Sequence, residues 1–215
     1  LSKLRAMGIE ASEDQICATS RATVDYVRSN FPDARRLFIL GTPSLEGLFR
    51  EEGFEIASDS PGDVPDIVIA SFDTTLTYSR LCRAAWWVSK GVTYLATNPD
   101  RICPTDLDTV LVDCGSICKC IEHATGRRPD ATLGKPNPDM LAGICRSHSL
   151  EKRQVAMVGD RIYTDIEMAR RAGVFGVLVL SGESDAGAVS KAPCRPDLVC
   201  SDIKEFADLL TEARR

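Results

Sequence analysis

The fold of this chain is decided by the stretch Val155-Ala156-Met157-Val158-Gly159-Asp160-Arg161-Ile162-Tyr163-Thr164-Asp165. Its first four residues are apolar without interruption, which is typical of a short strand that is covered on both faces. Gly159 and Asp160 then stand at the carboxyl edge of that strand. Thr164 and Glu167 have the spacing of a capping box, which predicts a helix that begins at Asp165. A strand followed at once by a helix is the building unit of a parallel sheet.

The same alternation of apolar runs and helical patterns extends along most of the chain. Four further apolar runs have similar length and content, and they occupy residues 36–40, 66–70, 92–96 and 174–180. Amphipathic stretches lie between them, and several end at a glycine, such as Gly53, Gly91 and Gly173, where helices commonly stop. Strands that alternate with helices predict an α/β fold built on a parallel sheet.

The length and composition of the chain limit its class. Its 215 residues suffice for one large domain or two small ones. The 26 lysines and arginines are outnumbered by 31 aspartates and glutamates, so we expect no nucleic acid partner. No apolar run reaches the about 18 residues of a membrane helix, so we expect no membrane partner either. The nine cysteines, without a secretory signal, indicate reduced thiols and a cytoplasmic location.

Two carboxylates, those of Asp160 and Asp165, stand five residues apart at the end of the quoted strand. Open α/β sheets bind ligands at the carboxyl edge of their strands, and Mg²⁺ prefers carboxylate oxygens. The pair therefore forms half of a candidate magnesium site. The alternative is structural, because aspartates at such positions also cap turns and helix starts.

A second candidate for chemistry is the turn Leu133-Gly134-Lys135-Pro136-Asn137-Pro138. Asn137 is suited to the N-cap of a helix and Pro138 to its first position. Lys135 stands just before that start, where its ammonium group can reach a phosphate as a point charge. The alternative is a solvated surface lysine in a turn that the prolines stiffen.

Together the two segments resemble the third and fourth sequence motifs of the haloacid dehalogenase superfamily, which are a lysine ahead of a helix and a strand that ends in Gly-Asp-x-x-x-Thr-Asp. Further stretches resemble the NagD-like branch of that superfamily, which includes the p-nitrophenylphosphatases. They are Phe72-Asp73, Tyr78, Ala96-Thr97-Asn98-Pro99-Asp100, Ala124-Thr125-Gly126-Arg127-Arg128-Pro129 and Leu178-Val179-Leu180-Ser181-Gly182-Glu183. The resemblance follows the family's order over nearly the whole chain.

This resemblance implies a Rossmann-like parallel-sheet core that is incomplete at its N-terminus and carries an inserted α/β cap domain. Residues 1–14 would be a remnant of a core helix, residues 15–120 the cap, and residues 121–215 the C-terminal part of the core. The branch consists of Mg²⁺-dependent phosphatases of small phosphomonoesters. Mg²⁺ is thus the implied cofactor and a small phosphorylated metabolite the implied partner. The oligomeric state stays open, with a homodimer through the cap as one alternative.

The resemblance also implies roles for single residues. Lys135 would bind the transferring phosphoryl group and steady an aspartyl-phosphate intermediate, and Asp160 would ligate Mg²⁺. Asp165 would be a supporting catalytic carboxylate near the metal. Asp73 and Asn98 would bind substrate from the cap, although Asp73 would equally serve to fix a loop and Asn98 to cap a helix or turn.

The family's first two motifs do not occur in the sequence: an Asp-x-Asp on the first core strand, and a Ser or Thr at another strand end. Asp73 follows an apolar strand and mimics the first motif, but Thr75 stands where the second aspartate is needed. We therefore expect the nucleophilic aspartate upstream of Leu1.

The sequence predicts a phosphatase that hydrolyses a small phosphomonoester, such as a sugar or nucleotide phosphate, through an aspartyl phosphate. An artificial ester such as p-nitrophenyl phosphate should serve as a test substrate. The alternative is a catalytically inactive relative that binds a ligand or a partner protein.

Overall fold

The computed structural model describes residues 1–12 and 15–213. They divide into two compact units, of which the first runs from Leu1 to Gly134 and the second begins at Lys135. Both units are α/β, as the sequence predicts. In the described part of the chain, no helix is long and apolar enough to cross a membrane.

The strands of the first unit are β1 (Arg36–Leu40), β2 (Glu55–Ile56), β3 (Ile67–Ala70), β4 (Thr93–Ala96), β5 (Ile102–Cys103), β6 (Leu111–Val112) and β7 (Ala131–Thr132). Five of them form a parallel sheet in the order β2-β1-β3-β4-β7. The helices of this unit are α1 (Ser2–Ala6), α2 (Thr19–Asn30), α3 (Pro43–Glu51), α4 (Tyr78–Ser89) and α5 (Cys114–Thr125). β5 and β6 form a separate antiparallel pair.

The three inner strands of this sheet are buried on both faces, which explains their continuous apolar sequence. Successive side chains point to opposite faces of a strand. Phe38, Val68 and Tyr94 therefore join one buried cluster with residues of α4 and α5. Leu37 and Ile67 join a second cluster with residues of α2 and α3. Helices thus cover both faces of the sheet.

The second unit contains a parallel sheet of three strands in the order β10-β9-β8. Its strands are β8 (Ala156–Gly159), β9 (Phe175–Val179) and β10 (Leu198–Cys200). Its helices are α6 (Asp139–Ser147), α7 (Glu167–Ala172), α8 (Ala186–Lys191) and α9 (Ile203–Glu212). Because the strands are parallel, the residues that follow β8 and β9 meet at one edge of the sheet.

β8 differs from the prediction of a strand that is covered on both faces. Ala156 is exposed, and Met157, Val158 and Gly159 are only half-buried. Among the described residues β8 pairs with β9 alone, so its other edge has no backbone partner there. The prediction of full burial was wrong for the described chain, because continuous apolar character identifies a strand but not which segments pack on its faces.

The division into units also differs from the predicted boundary between residues 120 and 121, since the first unit continues to Gly134. Cys114, Ile117 and Ile121 of α5 lie in the same buried cluster as Tyr94, and β7 pairs with β4. These contacts attach the residues after 120 to the first sheet. The assignment of the units to cap and core stays a prediction. Residues 13, 14, 214 and 215, which the predicted ranges include, lie outside the described residues.

Candidate active site

Asp160 lies at the carboxyl end of β8, directly after Gly159, and its side chain is half-buried. Its Oδ2 atom accepts a hydrogen bond from the main-chain N–H of Glu183 at 2.9 Å, and its carbonyl accepts one from Ser184 at 3.1 Å. A Cβ atom on Gly182 would overlap the Asp160 carboxylate, so the absence of a side chain there permits the close approach. The loop that follows β9 therefore lies directly on Asp160.

Asp165 packs against the two residues that flank Asp160. It is only 1% exposed. Its Oδ2 atom accepts a hydrogen bond from the Arg161 main-chain N–H at 3.1 Å. Its side chain also lies so close to Gly159 that a Cβ atom there would overlap it. The two carboxylates of the quoted stretch therefore share one strand end.

Lys135 reaches this strand end from the turn that precedes α6. Its Nζ atom lies 2.6 Å from Oδ1 of Asp165. The side chain of Lys135 is 43% exposed, whereas that of Asp165 is 2% exposed. An ammonium group has three N–H donors, and this ion pair uses one of them. The two motifs that the sequence presents separately thus meet in a single ion pair.

The backbone around these residues departs from two sequence predictions. The capping-box spacing predicts a helix that begins at Asp165, but one turn of π-helix covers Ile162–Ile166 before α7 begins at Glu167. The Thr164 hydroxyl is buried and has no hydrogen-bond partner among the described residues, so it caps nothing. Asp165 lies on the π turn with its carboxylate directed at Lys135, and such turns are frequent at functional sites.

α6 also begins one residue later than the prediction of Pro138 as its first helical position. Its first residue is Asp139, whose N–H donates to Oδ1 of Asn137 at 2.9 Å. Asn137 therefore accepts a hydrogen bond from the first turn of α6, as predicted. It lies two residues before the helix instead of one.

Glu167, which opens α7, is engaged by two arginines on its own helix. Arg170 and Arg171 lie 2.8 and 2.6 Å from its carboxylate. The hydrogen bond from Arg170, followed by that from Arg171, lowers the pKa of Glu167 to about 2. Glu167 therefore stays ionised at neutral pH and provides no proton at this end of the sheet.

Glu183 is the site residue whose placement the sequence does not predict. Beyond its main-chain bond to Asp160, its carboxylate accepts a hydrogen bond from the Tyr163 hydroxyl at 2.7 Å and forms an ion pair with Nε of Arg161 at 2.6 Å. The signal available in the sequence is the polar run that follows the β9 strand, because such a run ends at the same edge as Asp160.

Asp73 belongs to the first unit and is 6% exposed. Its Oδ1 atom accepts hydrogen bonds from the main-chain N–H and the hydroxyl of Thr75, at 2.8 and 2.7 Å. Its Oδ2 atom is buried 3.8 Å from Nη1 of Arg80 and has no hydrogen-bond partner among the described residues. This geometry favours the loop-fixing alternative, and a contact with substrate stays a prediction.

Asn98, also in the first unit, follows β4 closely. Its Oδ1 atom accepts a hydrogen bond from the N–H of Asp100 at 3.1 Å, and its Nδ2 atom donates to Asp113 at 3.4 Å. Both ends of the amide thus hold a turn together, as the capping alternative predicts. A contact between Asn98 and substrate also stays a prediction.

The donor atoms near Asp160 fit part of a magnesium site. Both Asp165 oxygens are occupied, one by Lys135 and the other by Arg161. The Oδ2 atom of Asp160 accepts a hydrogen bond, whereas no hydrogen bond to its Oδ1 atom is present within the described chain. Mg²⁺ commonly binds one or two carboxylates together with water and substrate phosphate. Across residues 1–12 and 15–213, no three acidic, Cys or His side chains are grouped as a metal site.

Comparison with known proteins supplies independent findings. The model of the HAD-hydrolase-like family matches residues 132–206, a range that contains Lys135, Asp160 and Asp165. The acid sugar phosphatase of Staphylococcus aureus is 31% identical over 203 residues, which cover 94% of this chain and 76% of that protein.

Two solved structures are similar over almost the whole chain. The 4-nitrophenylphosphatase of Thermotoga maritima has a TM-score of 0.88 and 38% identity, covering 96% of this chain and 77% of that one. A glycerol phosphate phosphatase of Mycobacterium tuberculosis, solved in complex with magnesium, has a TM-score of 0.87 and 27% identity, covering 95% of this chain and 62% of that one.

Proposed function

We propose that this protein is a magnesium-dependent phosphatase that hydrolyses small phosphomonoesters. The chain belongs to the haloacid dehalogenase superfamily of hydrolases, in the NagD-like branch of p-nitrophenylphosphatases. The single observation that carries this proposal is the contact between the two motifs. Lys135 binds Asp165, and Asp165 packs against both neighbours of Asp160. A cation and the half-buried carboxylate of Asp160 are thereby held at one strand end.

This arrangement suits phosphoryl transfer because that reaction depends on positioning and on neutralising negative charge. Lys135 would bind the transferring phosphoryl group with the N–H donors that Asp165 does not use. Asp165 would act on the reaction through Lys135, because its buried carboxylate keeps the ammonium group at the strand end. Its expected place as a supporting carboxylate near the metal stays a prediction.

Asp160 would hold the magnesium ion, which supplies further positive charge at the phosphate when bound. The half-buried carboxylate supports this role, as does its Oδ1 atom, which accepts no hydrogen bond from the part of the chain that the structure describes. The magnesium complex of the M. tuberculosis phosphatase supports the choice of metal. The main-chain N–H of Glu183 would orient the Asp160 carboxylate by holding its Oδ2 atom.

The covalent step would belong to an aspartate on a further strand, expected upstream of Leu1. Among the described residues one edge of β8 has no backbone partner, which supports a neighbouring strand, because a half-buried apolar strand is stabilised by backbone pairing. Attack of that aspartate on phosphorus would release the alcohol and form an aspartyl phosphate. Water would then hydrolyse this intermediate, release phosphate and restore the carboxylate.

The substrate class rests on the names of the relatives, which act on a sugar phosphate, glycerol phosphate and 4-nitrophenyl phosphate. All three are small esters of phosphate. We therefore propose a small phosphorylated metabolite, such as a sugar or nucleotide phosphate, as the natural substrate.

The test uses the protein expressed from its complete reading frame. It should release p-nitrophenol from p-nitrophenyl phosphate when Mg²⁺ is present, and chelation of the metal with EDTA should abolish turnover until Mg²⁺ is restored. Failure to hydrolyse this ester and a panel of sugar and nucleotide phosphates would contradict the proposal, and the alternative of an inactive, ligand-binding relative would then take its place.

A further inference from the structure

The loop between β9 and α8 is held on Asp160 by more than its backbone. The main-chain N–H of Glu183 donates to the Asp160 carboxylate, while the side chain of the same Glu183 is bound by Arg161 and Tyr163. Both of these partners come from the segment that directly follows Asp160. One residue of the loop is therefore attached to the metal-binding segment at its backbone and at its side chain.

Arg161 links this attachment to the ion pair of the site. Its side chain binds the Glu183 carboxylate at 2.6 Å, and its main-chain N–H donates to Asp165 at 3.1 Å. Asp165 in turn binds Lys135. Movement of Arg161 would therefore disturb both the loop on Asp160 and the carboxylate that holds the phosphate-binding lysine.

Besides these bonds, the loop is fixed by the Ser184 main-chain N–H, which donates to the Asp160 carbonyl at 3.1 Å. Ser181, Gly182, Glu183 and Asp185 are all exposed, and Ser184 alone is buried. Exposed loops with few buried apolar contacts open locally at low free-energy cost. The side-chain bonds of Glu183 therefore restrict a segment that would otherwise leave the Asp160 carboxylate free to rotate.

We propose that Arg161, Tyr163 and Glu183 form a positioning clamp that fixes the Glu183 main-chain N–H on Asp160 and so orients the Asp160 carboxylate for its divalent cation. This inference rests on the proposed function, in which Asp160 holds the metal. None of the three side chains needs to touch metal or substrate. Their effect is on metal affinity, because partners that orient a ligand commonly change affinity ten- to a hundredfold.

The first experiment measures binding of Mn²⁺, as a paramagnetic substitute for Mg²⁺, from the spin-resonance signal of the free ion in the complete protein. Glu183→Ala should raise the dissociation constant about tenfold, and Tyr163→Phe about threefold. Glu183→Gln, which keeps a hydrogen-bond acceptor for Tyr163, should lie between wild type and Glu183→Ala. At saturating metal, kcat should stay within about twofold of wild type, because the chemistry itself is unaltered.

The matched control is Glu122→Ala in the first unit. The Glu122 carboxylate is likewise bound by two side chains, Lys119 and Arg128, each at 2.6 Å. Removal of the Glu122 carboxylate deletes an equivalent surface cluster that belongs to the first unit, whereas Asp160 belongs to the second. The Mn²⁺ affinity should therefore not change.

A double-mutant cycle tests whether Tyr163 acts through Glu183. Tyr163→Phe combined with Glu183→Ala should bind Mn²⁺ as Glu183→Ala does, because the Glu183 carboxylate through which the tyrosine acts is already absent. Additive losses would contradict the clamp. Wild-type affinity in Glu183→Ala would overturn it, provided that Asp160→Ala has lost Mn²⁺ binding. Retained binding in Asp160→Ala would instead overturn the proposed metal site itself.

Discussion

Asp73 and Asp160 occupy similar places in the two units, and their surroundings differ. Each aspartate follows an apolar strand at the carboxyl edge of a parallel sheet, β3 in one case and β8 in the other. The Asp73 side chain is wholly buried, with one oxygen on Thr75 and the other near Arg80. The Asp160 side chain is half-buried, and within the described residues its carboxylate accepts a hydrogen bond from a main-chain N–H.

The difference arises from the segments that approach each aspartate. Arg80 of α4 binds the Ile39 carbonyl of β1 at 2.5 Å and Glu46 at 2.6 Å. Because the same arginine lies 3.8 Å from Asp73, these bonds keep Arg80 beside the buried carboxylate. At Asp160 the approaching loop contributes Gly182 and a main-chain N–H that binds Oδ2, while no hydrogen bond to Oδ1 is present among the described residues. A strand-end aspartate therefore becomes a candidate metal ligand only where the neighbouring loop leaves it accessible.

The largest expected effect is that of Asp160→Ala. Turnover should fall about a thousandfold, because a metal that neutralises the phosphate is lost, and added Mg²⁺ should not restore it. The free energy of unfolding should change by less than about 1 kcal/mol, since a half-exposed surface carboxylate is removed. Phosphate-release assays and urea denaturation measure the two effects, and undiminished turnover would remove Asp160 from the mechanism.

Lys135→Met is expected to have the next largest effect. Turnover should fall about a hundredfold through loss of the phosphate-binding charge. Stability should fall by about 2 kcal/mol, because the buried Asp165 carboxylate loses its partner; the loss is below that of a fully buried pair since Lys135 is 43% exposed.

The double variant Lys135→Met with Asp165→Asn separates these two losses. It should recover most of the stability, because no unpaired buried charge remains, but none of the turnover. Lys204→Met is the control, since Lys204 and Asp208 form a surface pair at 2.7 Å with side chains 80% and 61% exposed. Recovery of turnover in the double variant would show that Lys135 acts on stability alone.

Asp73→Ala should have the smallest effect on activity and a clear effect on stability. Loss of both bonds to Thr75 should lower the free energy of unfolding by about 2 kcal/mol, while kcat/KM stays within about twofold. Asp66→Ala is a matched structural control, because Asp66 accepts two main-chain N–H groups at 2.8 Å. A large loss of kcat/KM in Asp73→Ala alone would restore its predicted contact with substrate and end the contrast with Asp160.

Local pattern identified most elements of the fold but not their neighbours. Continuous apolar runs predicted β1, β3, β4, β8 and β9, and each is present. The same pattern did not show that β8 is only half-buried in the described chain, nor that α5 and β7 pack on the first sheet. Strand order and domain boundaries depend on contacts between residues far apart in the chain, which periodicity does not record.

Residue types at the strand end likewise identified Lys135, Asp160 and Asp165 as candidates, and the structure brings Lys135 and Asp165 into contact. The π turn that carries Asp165, and the attachment of Glu183 to Arg161 and Tyr163, were not predictable from spacing. Side-chain direction at the end of an element depends on which loops pack there.

By itself, the sequence determined the α/β class, the superfamily and the strand end at which chemistry is expected, because apolar periodicity and short motifs are local properties of the chain. Only the tertiary structure showed that Asp73 points inward, that Asp165 is held by Lys135, and that the Glu183 backbone binds Asp160. These features arise from the mutual approach of distant segments, where burial and pairing fix each carboxylate in one environment.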